Sequence, residues 1–359
     1  MSRRRFTRRA FAALGTAAAF AGCLGSGGGD GTGGDTSTAG PATSMGESTP
    51  IDDKQVSDQA TGEWHRAESP TQKTLYDVVV SRAGVFAVGE DGIIVGRCHG
   101  MWERIDDSND LEVVGNTLYD ASTPADGSNV WFCGSSGSIG VYEPKEQQIL
   151  DYSAPGEKTS TWETIAVGGT RRNEQIFVGN GSGELLRGKR DGQNIDWQDV
   201  REPAGGSSLV DMEFPTANVG FLADSSGGLY RTTNTGGGWN KVGVRGAEHA
   251  LQSIGAADEN TVYVSADAGA VYRYNGRTWT DTSAGGASVY GIDIVDRQTG
   301  LACTGEGEVY DLTDGRWEQV GSFDSVSLRS VIYGNEASPH VAVGASGAIV
   351  ERFPSGDAN

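Results

Sequence analysis

At 359 residues the chain could form one large domain or two ordinary ones, but only 36% of it is hydrophobic and 55 residues are glycine. Acidic residues outnumber basic ones 48 to 28, and five of the arginines fall within the first nine residues. So acidic a surface repels nucleic-acid phosphates and anionic lipid headgroups, which argues against nucleic acid as a partner. With only six lysines it is also the kind of shell that proteins carry in concentrated salt, and a halophilic source is expected.

The N-terminus reads as an address. "MSRRRFTRRAFAALGTAAAFAGCLG" joins a basic start to an apolar stretch, residues 10–22, that ends at Cys23. The stretch is too short to cross a hydrocarbon core, which takes about 20 residues in a helix, so an export signal is expected. Arg8, Arg9 and Phe11 in "TRRAF" resemble the twin-arginine motif of signals that export folded proteins. "FAGC" resembles a lipobox, whose cysteine becomes the lipidated first residue of the mature chain. Together they imply a signal peptide over residues 1–23, a lipid on Cys23, and a mature protein on the outer face of the cytoplasmic membrane. Two acyl chains are enough for stable anchoring where one is not. Residues 24–60 are rich in Gly, Ser, Thr, Asp and Pro and hold too little apolar surface to offset the entropy of ordering. They are expected to act as a flexible tether spanning roughly 35 Å on average.

With Cys23 lipidated, Cys98, Cys133 and Cys303 remain, and their wide spacing suggests neither a disulfide framework nor a zinc site. Cys133 and Cys303 fall within expected strands and read as core residues.

From residue 61 to 354 one phrase recurs. An apolar residue, any residue, a small polar residue and another apolar one occur as "LYDV" at 75, "LYDA" at 118, "WETI" at 162 and "LVDM" at 209, then as "LQSI" at 251, "VYGI" at 289 and "LRSV" at 328. Each copy is followed by an apolar cluster, a glycine-bearing turn and a second cluster, as in "VFAVGEDGIIVG" and "VAVGASGAIVER". A tryptophan segment then follows at Trp102, Trp197, Trp239, Trp279 and Trp317, with Tyr152 standing in for the second copy. Each unit is thus four short strands, a to d, and seven units of about 42 residues fit a seven-bladed β-propeller of four-stranded antiparallel blades. The seventh copy ends without a tryptophan. The segment around Trp64, "GEWHRA", is expected to supply its fourth strand and close the ring, leaving residues 355–359 as a tail. The "G-x-x-G" pairs at Gly89/Gly92, Gly134/Gly137 and Gly344/Gly347 lie between two strands, so they are expected to be hairpin turns needing positive φ rather than phosphate-cradling loops.

"TTNTGGGW", residues 232–239, resembles the Asp-box of BNR repeats, with Asn234 where aspartate is usual; "NGRTW" at 275 and "TDGRW" at 313 are remnants of it. In that motif the side chain satisfies the backbone of a turn. Together with the strand-a phrase and the terminal tryptophan, it makes residues 62–353 resemble the photosystem II stability/assembly factor group of seven-bladed BNR propellers. The resemblance implies a non-catalytic binding, scaffold or assembly-helper module for a membrane or cell-surface complex.

Asp-box propellers also include sialidases and other glycoside hydrolases, so a carbohydrate-active hydrolase or lyase is the alternative. The "F/Y-R-I-P" segment of sialidases is absent, and Arg187, Arg231 and Arg273 sit at outward strand-c ends. Asp77, Asp120 and Asp211 occupy one place in units 1, 2 and 4 and are candidates to line the channel. Paired carboxylates can work as acid and base, but Thr164, Ser253, Gly291 and Ser330 fill that place elsewhere. A short polar side chain repeated there is expected to hydrogen-bond backbone between neighbouring inner strands. His65, His99, His249 and His340 are isolated, and no catalytic residue, metal site or cofactor is expected.

The variable position inside strand a is more informative. It holds Tyr76, Tyr119, Glu163, Val210, Gln252, Tyr290 and Arg329. Tyr290, Arg329, Tyr76 and Tyr119 become contiguous once the ring closes and are residue types enriched at binding hot spots. They form the candidate binding patch, for a protein or a glycan, on a monomer. Asn180 in "NGS" matches an N-glycosylation acceptor and is expected on an exposed hairpin.

Overall fold

The computed structural model describes residues 62–105, 115–244, 249–335 and 337–354. Arg8, Arg9, Phe11, Cys23, the tether and the tail at 355–359 lie outside the described residues. Short clusters of Val, Ile and aromatic residues form strands, and glycine-bearing turns separate them. The result is seven four-stranded antiparallel sheets. Among the described residues no helix is long and apolar enough to cross a membrane.

Six sheets are runs of four consecutive strands, the first being Leu75–Ser81, Gly84–Gly89, Ile94–Cys98 and Met101–Arg104. The seventh joins the two ends of the domain. Leu328–Ile332, His340–Gly344 and Ile349–Arg352 are completed by His65–Arg66, which pairs antiparallel with the last strand, His65 opposite Glu351 and Arg66 opposite Val350. Trp64 packs with Leu328, Ala342 and Val350, and the Arg352 guanidinium lies 5.1 Å over its ring. The front of the chain therefore supplies the tryptophan that the last repeat lacks.

Sheets stack face to face around an axis, and each of the seven seams holds one apolar cluster drawn from two neighbouring blades. The seam between blades 7 and 1, for example, is filled by Ile332, Val341 and Val343 against Val78, Val80 and Val85. Inner strands are covered on both faces by these seams and read as near-continuous apolar runs, whereas the outermost strand of blade 6, Arg316–Ser322, has no fully buried residue. Cys133 and Cys303 are buried free thiols in this core.

The G-x-x-G turns are hairpin turns, with one refinement. Positive φ falls on their third and fourth residues, as at Asp91 and Gly92. The first glycine is extended, and a Cβ on Gly89, Gly134 or Gly344 would come within 2.0 Å of the carbonyl oxygen of Thr74, Thr117 or Ser327. Close approach of the strand leading into the same blade, not a left-handed backbone, is what requires glycine there.

In "TTNTGGGW" the Asn234 side chain accepts from the Gly238 N–H at 2.9 Å, and the Thr232 hydroxyl accepts from the Gly236 N–H at 3.0 Å. Arg187 and Arg201 of blade 3 donate to the carbonyls of Thr235 and Gly237, so this loop also binds its neighbouring blade.

Candidate functional site: the channel mouth

Every inner strand carries the same irregularity. The ladder to the second strand skips between Leu75 and Asp77, and likewise between Leu118 and Asp120, Trp162 and Thr164, Leu209 and Asp211, Leu251 and Ser253, Val289 and Gly291, and Leu328 and Ser330. The skipped residue is a β-bulge, which frees its side chain from the alternation of the strand. In all seven blades it is the variable residue of the sequence phrase, and in all seven it is half-buried between buried neighbours. All seven line one cavity of about 110 Å³ at the end of the channel where the inner strands begin.

The predicted patch is assembled within it. Tyr76 and Tyr119 have ring centroids 5.2 Å apart, and the Arg329 guanidinium lies 4.9 Å over the ring of Tyr290. Partial burial, with the Glu90 carboxylate nearby, raises the Tyr76 hydroxyl pKa despite the Arg329 charge. Burial and Glu163 raise that of Tyr119. The rim beyond the patch differs. Glu163, Val210 and Gln252 complete the circle, and burial pushes the Glu163 carboxyl above its ordinary range. Reading only the Tyr and Arg members as the site missed this half, although the same strand position marked it. The mouth thus offers aromatic edges and a guanidinium on one side and a carboxyl and an amide on the other.

One residue further along, the side chains turn between blades. Asp77 accepts from the Ala121 N–H of blade 2 at 3.0 Å and from the Ser330 hydroxyl of blade 7. Asp120 accepts from the Ile165 N–H of blade 3 at 2.8 Å. Asp211 accepts from the Ile254 N–H at 2.7 Å and the Ser253 hydroxyl at 2.9 Å, both of blade 5. These carboxylates line the cavity and tie blade 7 to 1, 1 to 2, 2 to 3 and 4 to 5.

Other singled-out residues are scattered. Asn180 is 1% exposed; its amide nitrogen donates to Glu184 at 2.8 Å, and its oxygen accepts from the Ser182 and Glu184 N–H groups. It folds inward over its own turn, against the exposed position expected. His65 and His340 do share the closing blade, but His340 is buried against Tyr333 and accepts from the Gly334 N–H, while His65 faces Glu351. Among the described residues no cluster of His, Cys, Asp or Glu could hold a metal ion.

A buried ion cluster in the seam between blades 2 and 3 went unread in the sequence. Arg190, fully buried, reaches Glu143 at 2.9 Å and Glu174 at 3.3 Å, and its guanidinium lies 5.4 Å over Trp131. Burial pushes the Glu143 carboxyl up, but Arg190, Gln148 and Arg171 together outweigh it and hold it below the usual range. Glu174 is raised, burial outweighing Arg190 there.

No family model matches the chain, and no curated protein matches it. Solved structures do. YCF48 from Cyanidioschyzon merolae is 14% identical at a TM-score of 0.64, covering 82% of this chain and 99% of that one. A structure of YCF48 bound to D1 peptide is 13% identical at 0.65, covering 83% and 99%. Virginiamycin B lyase from Staphylococcus aureus is 15% identical at 0.67, covering 80% and 98%. At such identities the likeness is one of fold.

Proposed function

We propose that this protein is a lipid-anchored, non-catalytic propeller outside the cytoplasmic membrane that captures a segment of a membrane or cell-surface protein at its channel mouth. The observation that carries the reading is the convergence of all seven bulge residues on one cavity, with Tyr76, Tyr119, Tyr290 and Arg329 adjacent. Tyrosine and arginine give large contact area and directional hydrogen bonds and are the types enriched at binding hot spots. A neighbouring fold solved with a peptide bound supports a peptide as ligand here. Cys23 is the anchor, and residues 24–60 are the tether.

The test is capture from detergent-solubilised membranes in high salt, followed by mass spectrometry, with wild type and a Tyr76→Ala, Arg329→Ala double variant. The variant is expected to lose the partner and keep its melting temperature. Retained capture, or a large drop in melting temperature, would turn the four residues back into blade packing.

A carbohydrate-active hydrolase or lyase is the second reading, and the virginiamycin B lyase of like fold bears only on whether such a propeller can host lyase chemistry. The engagement of Asp77, Asp120 and Asp211 with neighbouring blades counts against them as its acid and base. Release of reducing or unsaturated ends from a surface polysaccharide by the purified protein would establish it.

A further inference from the structure

The face opposite the mouth carries a second feature. Strand a begins at the mouth, so the a–b turns and the c–d turns lie at the far end. There, residues of blades 4, 5 and 6 form a cavity of about 650 Å³ lined by Asp258, Glu259, Arg273, Arg277 and Arg297, among others. Its volume is that of small-molecule sites. Three arginines around one cavity are unexpected on a chain of net charge −20.

The internal repeat supplies the control. Phe221 pairs with Arg231 in blade 4 as Tyr263 pairs with Arg273 in blade 5, so the two arginines are equivalent. Ser253 pairs with Ser265 in blade 5 as Gly291 pairs with Cys303 in blade 6, which makes Glu259 and Arg297 equivalent as well. At the seam between blades 4 and 5, Arg231 closes an ion pair with Glu259 at 3.2 Å. At the next seam the acidic partner has become an arginine, and Arg273 faces a cation. The Arg297 turn is held there because the Tyr263 hydroxyl donates to the Arg297 carbonyl at 3.1 Å. The Arg273 Nε is buried without a hydrogen-bond partner, as is that of Arg231, so what differs between the two seams is the missing carboxylate. Among the described residues none of the three arginines pairs with a carboxylate. Nearby acids are already engaged: Asp258 accepts from the Asn260 N–H, Asp296 from the Gln298 N–H, and Glu259 is held by Arg231.

From this juxtaposition we infer that Arg273 and Arg297, with Arg277 at the rim, form a binding site for a small oxyanion ligand, a carboxylate or phosphate bridging the two guanidiniums. Planar guanidinium forks match such groups in bidentate geometry. A bridging anion also restores the charge alternation that the other seam achieves internally. The site is on the opposite face from the mouth and stands or falls independently of it.

Isothermal titration of the full chain with citrate and, separately, with inorganic phosphate at constant sodium chloride tests this. Saturable one-site binding of either probe is expected; citrate alone marks a carboxylate ligand and phosphate alone a phosphate. Arg297→Glu recreates the arrangement of the neighbouring seam, so it should weaken binding at least tenfold while raising the melting temperature. Arg273→Gln should weaken binding as much without that rise. Absence of binding by both probes, or unchanged binding in both variants, would overturn the site.

Discussion

Two adjacent positions on each inner strand do opposite things. The third residue of the phrase turns toward the next blade: Asp77, Asp120 and Asp211 each accept a backbone N–H across a seam. The second, left out of the ladder by the bulge, faces the channel mouth and is Tyr, Tyr, Glu, Val, Gln, Tyr and Arg around the ring. A side chain that must reach a neighbouring backbone is confined to short polar types. One that meets only the cavity is free to differ from blade to blade, and a site can be built from such differences. Seams therefore carry stability, and the rim is where recognition is proposed.

That division can be broken at the seams first. Arg190→Met leaves Glu174 buried without its cation and Glu143 with only Arg171 and Arg172, and should cost about 3–5 kcal/mol, read as a lower urea midpoint. Asp120→Ala strips a charged acceptor from the Ile165 N–H and should cost about 2 kcal/mol in the same measurement. Acid sharpens the picture. Glu143 is held below its ordinary carboxylate pKa of 4.5, so its contribution is complete above that value and is lost as pH falls through the lower folded pKa. Acid unfolding of Glu143→Gln should accordingly be shallower than that of wild type. Glu174, raised by burial, titrates in the opposite sense, and Glu174→Gln should leave that limb in place. At the rim the effect should be smallest: Tyr76→Ala with Arg329→Ala is expected to change unfolding free energy by less than about 1 kcal/mol. A cost there as large as that of Asp120→Ala would erase the distinction between the two positions.

Much of this was readable in the chain because repetition separates roles. The phase of the repeats exposed a last unit one strand short and pointed to Trp64, which packs beside Val350. The variable strand position gave the rim, although only its aromatic and cationic half was taken as the site. The Arg190 cluster was not readable, because Glu143, Glu174 and Arg190 meet only when blade 2 is stacked on blade 3. Its one trace was charge within otherwise buried strands, as in "VYEP" and "NEQIF". Asn180 misled because a three-residue acceptor pattern carries no information on burial. The Arg273–Arg297 juxtaposition needed the strand register, since only pairing shows that Arg297 stands where the preceding blade has Glu259.

The most direct test of recognition at the rim is site-specific photo-cross-linking in intact membranes. A benzophenone side chain replacing Tyr76 at the mouth is compared with one replacing Val320, exposed on the outermost strand of blade 6. A discrete cross-linked protein from position 76 and none from position 320 is the predicted result. Cross-linking from position 320 alone would place the partner on the outer wall and contradict the mouth as the binding surface.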